Sequence, residues 1–182
     1  VVLHALEDNS KIFVFSEKQG VKLAASLLAD VVAPGTYSLP AQLTGGSIAA
    51  GTYVDSYFLH IDPVGDSTST LHPYRGSVTF DRPILGVFVQ DGTVAGTDTL
   101  LGNPGTTYPG LVTNRGLELN GQDKFTLSGD MKTLNVDLFQ AANVMDHVRI
   151  VTAAPIPEPV FFQFGAMMGL SGLGVLRLRR KA

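Results

Sequence analysis

Residues Tyr53 to Asp62 read YVDSYFLHID, with aromatic and aliphatic side chains interleaved with polar ones. Side chains on a strand point alternately to opposite faces, so this pattern predicts a strand with one face in a core. Similar short runs lie on both sides of it. Lys11 to Ser16 (KIFVFS) precedes it, and Gly76 to Phe80 (GSVTF) and Ile84 to Gln90 (ILGVFVQ) follow. These last two are expected to pair around the corner Asp81-Arg82-Pro83. Arg115 to Leu119, Lys124 to Leu127, Thr133 to Leu138 and Val148 to Thr152 complete the series, with Asn120-Gly121 as a turn signal. No long amphipathic helix separates these runs, which argues against a parallel βαβ sheet. The expected fold is mainly β, an antiparallel β-sandwich of jelly-roll-like type over residues 1–154. Val21 to Val32 (VKLAASLLADVV) reads equally as helix or strand. Thr97 to Leu101 is expected to make one helical turn. Thr93 to Leu111, rich in Gly, Pro and Thr, is expected to be an exposed loop.

The 182 residues suit one domain with an appendage. Only 16% are charged, against about 25% in an average soluble protein. The net charge of −3 divides unevenly: residues 1–154 carry nine Lys/Arg and fifteen Asp/Glu, and residues 155–182 carry four Lys/Arg and one Glu. Without a basic excess, nucleic acid is not an expected partner. The chain has no Cys, which excludes disulfides, thiolate metal sites and a thiol nucleophile.

Val160 to Leu176 (VFFQFGAMMGLSGLGVL) is a seventeen-residue stretch without a charge. As a helix it spans roughly 26 Å at about 1.5 Å per residue, close to a bilayer core of about 30 Å. Leu178 lengthens the apolar run, and Arg177, Arg179, Arg180 and Lys181 form a basic end. The expected layout is a Pro-rich stalk (155–159), one C-terminal transmembrane helix (160–178) and a basic cytoplasmic end (179–182). By the positive-inside rule the chain is a single-pass inner-membrane protein with its N-terminal domain in the periplasm. The competing reading is a buried C-terminal helix, which an all-round apolar segment with four terminal cations fits poorly. Export needs a signal peptide. The start, VVLHALEDNS, contains none and begins at Val1, as expected of a mature chain whose signal has been removed, or of a fragment.

Pro157-Glu158-Pro159, an apolar Gly-rich segment and an Arg cluster follow one another at the terminus. This order resembles the PEP-CTERM sorting signal of Gram-negative bacteria. The resemblance covers about the last 28 residues, and the body is similar, less specifically, to β-sandwich ectodomains of that family in GTYVDSYFLHIDPVG and PGTTYPGLVTNRGLEL. The resemblance implies export, recognition by an exosortase, cleavage near the motif and delivery to the cell surface or its polysaccharide matrix. Pro157 and Pro159 lack a backbone N–H and stop a helix from running back into the body. Gly165, Gly169 and Gly172 fall on one helical face, a small-residue stripe that lets another helix approach.

Candidate chemistry in the body is sparse. His60 and Asp62 share a strand face and, with His72 or His147, are the candidate metal ligands, although no known ligand spacing is present. Asp62, Asp66, Asp91 and Asp123 sit in Gly-containing turns, either as turn formers or as ligands of a structural calcium. No G-x-S-x-G occurs, since Gly169-Leu170-Ser171-Gly172-Leu173 lacks the last glycine. The chain also has no Trp for stacking on sugars. Tyr74 and Tyr108, in expected loops, are the candidate partner or glycan contacts; Tyr53 and Tyr57 share a strand face and are expected to pack.

These readings predict a non-catalytic protein with no cofactor, whose work is binding or bracing. The first expectation is a structural accessory subunit that braces a larger integral membrane complex of respiratory or photosynthetic type. Its partners are membrane lipid and the transmembrane helices of that complex. The alternative is an exosortase-processed surface or exopolysaccharide-matrix protein with an adhesive or glycan-binding role. A secreted hydrolase is the third reading.

Overall fold

The computed structural model describes residues 1–156, apart from 66, 112 and 114. Its strands are β1 (Phe13–Ser16), β2 (Val21–Lys22), β3 (Leu27–Ala29), β4 (Gly35–Tyr37), β5 (Gly46–Ile48), β6 (Tyr53–Ile61), β7 (Leu71–Thr79), β8 (Ile84–Phe88), β9 (Lys124–Leu127), β10 (Thr133–Ala141) and β11 (Asp146–Ala153). Two short helices, α1 (Asp91–Gly96) and α2 (Asp98–Leu101), lie between β8 and β9. One sheet has the order β1-β6-β11-β8, with β2 also on β6. The other has the order β4-β9-β10-β7, and β3 and β5 form a separate ribbon. Every strand pair is antiparallel. The mainly β, antiparallel expectation therefore holds, in an arrangement consistent with a β-sandwich.

The decisive stretch, Tyr53 to Asp62, becomes β6, and its two faces go to different places. Leu59 and Ile61 point inward with Val148 and Ile150 of β11 and Val87 of β8, meeting Phe125, Leu127, Leu134, Val136 and Leu138 of the opposite sheet. Val54 and Phe58 point the other way, with Phe88 and Val151, against Leu23, Ala29, Ile48, Val94 and Leu101. The first sheet is thus covered on both faces, and the β3–β5 ribbon with α1 and α2 makes a third layer. Strands buried on both sides lose the apolar–polar alternation that a half-exposed sheet shows. Along β11, residues Asp146 to Thr152 are all buried.

Three local expectations are corrected. Gly76–Phe80 and Ile84–Gln90 do not pair with each other: β7 pairs with β10 and β8 with β11, in different sheets. The Asp81-Arg82-Pro83 corner instead carries the chain between the sheets. The amides of Phe80 and Ile84 bond to Lys132 and Met131 in the β9–β10 turn, and Pro83 gives its carbonyl to Ala153. Arg115–Leu119 is not a strand. Leu117 and Leu119 are buried, but the stretch meets its neighbours only at separate points, Leu117 N–H to the Val89 carbonyl and His147 N–H of β11 to the Arg115 carbonyl. Finally, Thr93–Leu111 is not an exposed loop throughout. Its first part completes α1 and forms α2, and Val94 and Leu101 are fully buried on the first sheet. Val21–Val32, ambiguous in sequence, becomes β2, β3 and an isolated bridge from Val31 to Val87.

Among the described residues no helix is long and apolar enough to cross a membrane. The expected stalk motif Pro157-Glu158-Pro159, the apolar segment with Gly165, Gly169 and Gly172, and the basic end Arg177, Arg179, Arg180 and Lys181 lie outside the described residues.

Gly116 marks where the third layer closes on the sheet. A Cβ there would stand 2.1 Å from the Val89 carbonyl oxygen and 2.8 Å from the Asp91 nitrogen, both rigid backbone. Gly116→Ala is expected to lower stability by about 1–3 kcal/mol, as overpacking does. Gly129→Ala, with nothing within 4 Å of its Cβ, should change it by less than about 0.5 kcal/mol. Urea unfolding of the two variants checks the contrast.

Candidate functional site

The most concentrated polar chemistry in the body lies on the outer face of the first sheet, under the third layer. The register places His147 opposite His60 and Arg149 opposite Phe58 on adjacent strands. Arg149 is fully buried. Its Nε and Nη2 donate to Glu17 Oε2 and Oε1 at 2.8 and 2.9 Å, a bidentate pair. Nη1 donates to the Val94 carbonyl at 2.8 Å and to Thr97 Oγ1 at 2.6 Å, and Nη2 also reaches Asp98 Oδ1 at 3.0 Å. All five guanidinium hydrogens are thereby used. Phe58 and Tyr108 lie over the charge at 4.9 and 5.5 Å.

The two carboxylates are as fully engaged as the cation. Glu17 also accepts from Ser56 Oγ at 2.7 Å and from the Tyr108 hydroxyl at 2.6 Å. Asp98 accepts both Nη groups of Arg115 at 2.7 Å. Arg115, also fully buried, gives a further bond to the Gly110 carbonyl at 2.6 Å. Charges taken out of water need partners of this quality, because desolvation costs several kcal/mol per ion. The network ties the end of β1, the α1–α2 segment and the 102–118 stretch to β11.

A directed chain of hydrogen bonds runs on from Arg115. Its Nε donates to His147 Nδ1 at 3.2 Å, and His147 Nε2 lies 2.8 Å from His60 Nδ1. A guanidinium only donates, so His147 Nδ1 accepts and its proton sits on Nε2. His60 Nδ1 then accepts, which leaves its proton on Nε2, 3.8 Å from Asp62 Oδ2. Burial pushes the His60 pKa down to about 4, and burial followed by the neighbouring His60 pushes His147 lower still. Burial likewise raises Asp62 to about 6.

The structure therefore brings His60, His147 and Asp62 together, as the metal-ligand reading expected, but gives them another use. Both nitrogens of His147 and one of His60 are occupied by hydrogen bonds, so no set of lone pairs converges on a common point. His72 lies apart on β7, paired with Gln140. Asp62 also accepts the His4 backbone N–H at 2.6 Å, and with His4 and Glu7 makes a second small cluster. Asp91 accepts the amides of Arg115 and Gly116 at 2.9 and 2.7 Å, a turn-fixing role. Asp123 accepts the Phe139 amide at 2.7 Å, and Asp66 lies outside the described residues.

The two tyrosines need correction as exposed contacts. Tyr74 is a β7 residue with no exposed surface; its hydroxyl donates to the Asp8 carbonyl at 2.7 Å. Tyr108 is half-buried, wedged edge-on against Phe58 at 5.4 Å. Neither presents a free ring face for a sugar. Two cavities border Tyr108: one lined by Phe15, Glu17, Phe58, Asn103 and Thr106 holds about 210 Å³, and a more open one lined by Lys18, Asp98, Thr99, Asn103 and Gly110 holds about 430 Å³. The residues that build this network, Glu17, Asp98, Arg115 and Arg149, form no motif, since Glu17 and Arg149 are 132 positions apart. Their one sequence signal is a cation, Arg149, inside the apolar run Val148–Val151.

Arg149→Met is expected to destabilise the fold by about 3–5 kcal/mol, because it strands Glu17 in the interior. Arg75→Ala, which breaks the exposed pair with Asp137, should cost far less, since surface pairs contribute about 0–1 kcal/mol. For the histidines, the lowered pKa fixes the sign. Between about pH 6.5 and 4 the unfolded chain takes up a proton that folded His60 refuses, so this contribution to stability is present above pH 6.5 and lost as pH falls. Ring ¹⁵N NMR at pH 5.5 should find both rings neutral with protons on Nε2; an imidazolium signal from either would contradict the directed chain.

No family model matches this chain, and neither a curated protein nor a solved structure matches it.

Proposed function

We propose that the chain is an exported, tail-anchored, non-catalytic β-sandwich displayed at the bacterial cell surface or in its polysaccharide matrix, and that an exosortase processes its tail. The observation that carries this reading is where the body ends. The last bonds of the fold are Ala153 N–H to Pro83 and Ala154 N–H to Tyr53. Ile156 is already 78% exposed, and the Pro-Glu-Pro motif begins at the next residue. A cut near that motif takes nothing from the core. The engagement of the buried Glu, Asp, Arg and His side chains in holding layers together supports a binding or supporting role over the hydrolase reading. The repeated passage of the chain between the sheets, from β6 to β7, β7 to β8, β8 to β9 and β10 to β11, supports the jelly-roll-like form of the sandwich.

In this reading residues 160–178 form the single transmembrane helix, residues 1–154 lie in the periplasm before release, and the Arg/Lys end stays in the cytoplasm. Membrane lipid and the exosortase are transient partners, and polysaccharide is the lasting one. The Gly165, Gly169 and Gly172 stripe favours a second reading, in which the tail is retained and docks on transmembrane helices of a larger complex that the sandwich braces.

Intact mass of the protein from native cells separates the two. The expected product ends near Pro159 and is found outside the inner membrane, and Glu158→Ala should hold it at the membrane at full length. A wild-type protein that keeps residues 160–182 and co-purifies with a fixed set of membrane subunits overturns the release reading. In that case Gly165→Leu with Gly169→Leu should reduce recovery of the complex.

A further inference from the structure

Three carboxylates converge where β11 begins, one residue before His147. Glu118 and Asp123 flank the Asn120-Gly121 turn, where Gly121 has a φ of +99°, a conformation that favours glycine. Asp146 is the first residue of β11. One oxygen from each of the three lies within 4.8 Å of the others. Asp146 has no exposed surface and Asp123 is 2% exposed. Gln140 Nε2 donates to Asp146 Oδ1 at 2.6 Å, and the Phe139 N–H donates to Asp123 Oδ1 at 2.7 Å. Asp146 Oδ2 meets no donor and no solvent; a hydrogen bond between the Glu118 and Asp146 carboxyls exists only while one of the two keeps its proton. An acceptor left unsatisfied in the interior costs about 1–3 kcal/mol, and more when it is charged.

The charges that act on the trio are all negative. Glu118 feels Asp123 and then Asp91, and Asp146 feels Glu118 and Asp123. Burial, reinforced by this repulsion, drives Asp146 well above the usual carboxylate range and Glu118 to about 7.

We propose that Glu118, Asp123 and Asp146 form a binding site for a structural calcium ion. The donor set is oxygen only, which selects a hard cation over zinc or copper. Ligands about 2.3–2.6 Å from calcium stand at most about 5 Å apart across the ion, and the three oxygens all lie within 4.8 Å of one another. The ion gives Asp146 Oδ2 a partner when Glu118 and Asp146 are both ionised, and it fastens the turn between Gly116 and β9 to the first residue of β11. The inference rests on these side chains and not on the export reading.

The test is thermal unfolding of the full chain with EDTA or with calcium, together with Tb³⁺ luminescence sensitised by tyrosine. At calcium about 100-fold above its Kd, Tm is expected to rise by about 5–10 °C for a chain of this size, and calcium should displace Tb³⁺. Asp146→Asn and, in parallel, Glu118→Gln should abolish both responses, and Asp146→Asn should unfold no earlier than the EDTA-treated parent because it removes a buried charge. No calcium-dependent rise in the parent at 5 mM, or the same rise in a folded Glu118→Gln variant, overturns the site. If Asp146→Asn does not fold, Glu118→Gln, at a half-buried position, decides.

Discussion

One guanidinium holds the third layer to the rest of the molecule. Arg149 stands in the middle of β11, and its five donors reach the end of β1, the last turn of α1 and the first residue of α2. A buried arginine is tolerated only when each N–H is met. This requirement fixes several things together. Glu17 must follow β1, α1 must stop where its carbonyls face the sheet, and Asp98 must lie between two arginines. Arg115 then extends the constraint through His147 to His60. From Arg149 to His147 the polar side chains are satisfied as a connected network, the condition under which a buried network rigidifies a fold; His60 Nε2, at its far end, meets no hydrogen-bond partner.

The low charge of the body has its cause here. Covering a sheet on one face needs one stripe of apolar residues per strand. Covering it on both faces removes the polar stripe as well, and β6 and β11 show this directly in their burial. The second face is closed by the ribbon and the short helices, through Leu23, Ala29, Ile48, Val94 and Leu101. Close contact there depends on small residues: a Cβ on Gly86 would stand 2.7 Å from that of Ala29.

Local periodicity made the strands legible. Lys124–Leu127 is β9 to the residue, and the runs around Phe13, Tyr53, Ile84, Thr133 and Val148 all become strands. Partnership between strands was less legible, because a corner such as Asp81-Arg82-Pro83 closes a hairpin or crosses between sheets with the same residue types. The third layer was hidden by composition: Gly, Thr and Pro between 93 and 111 read as loop, while Val94 and Leu101 are its fully buried apolar side chains. Tyr74 was misread because the strand signal of Gly76–Phe80 begins too late, and β7 starts at Leu71. The acidic trio was hidden for a different reason. Asp123 stands out as a turn residue, but Asp146 lies 23 positions further on, and convergence over that distance is a property of the β9–β10–β11 path.

The last strand among the described residues is an internal one of its sheet. β11 lies between β6 and β8, which do not pair with each other, and it carries Asp146, His147 and Arg149. Until residue 153 is available, the first sheet is two separate halves with no wedge between them, and neither the arginine network nor the carboxylate trio exists. Folding is thus ruled by contacts distant in sequence, which makes it late and cooperative. A chain cut short within β11 therefore loses the joint between both halves of the sheet at once, and not merely one edge of it.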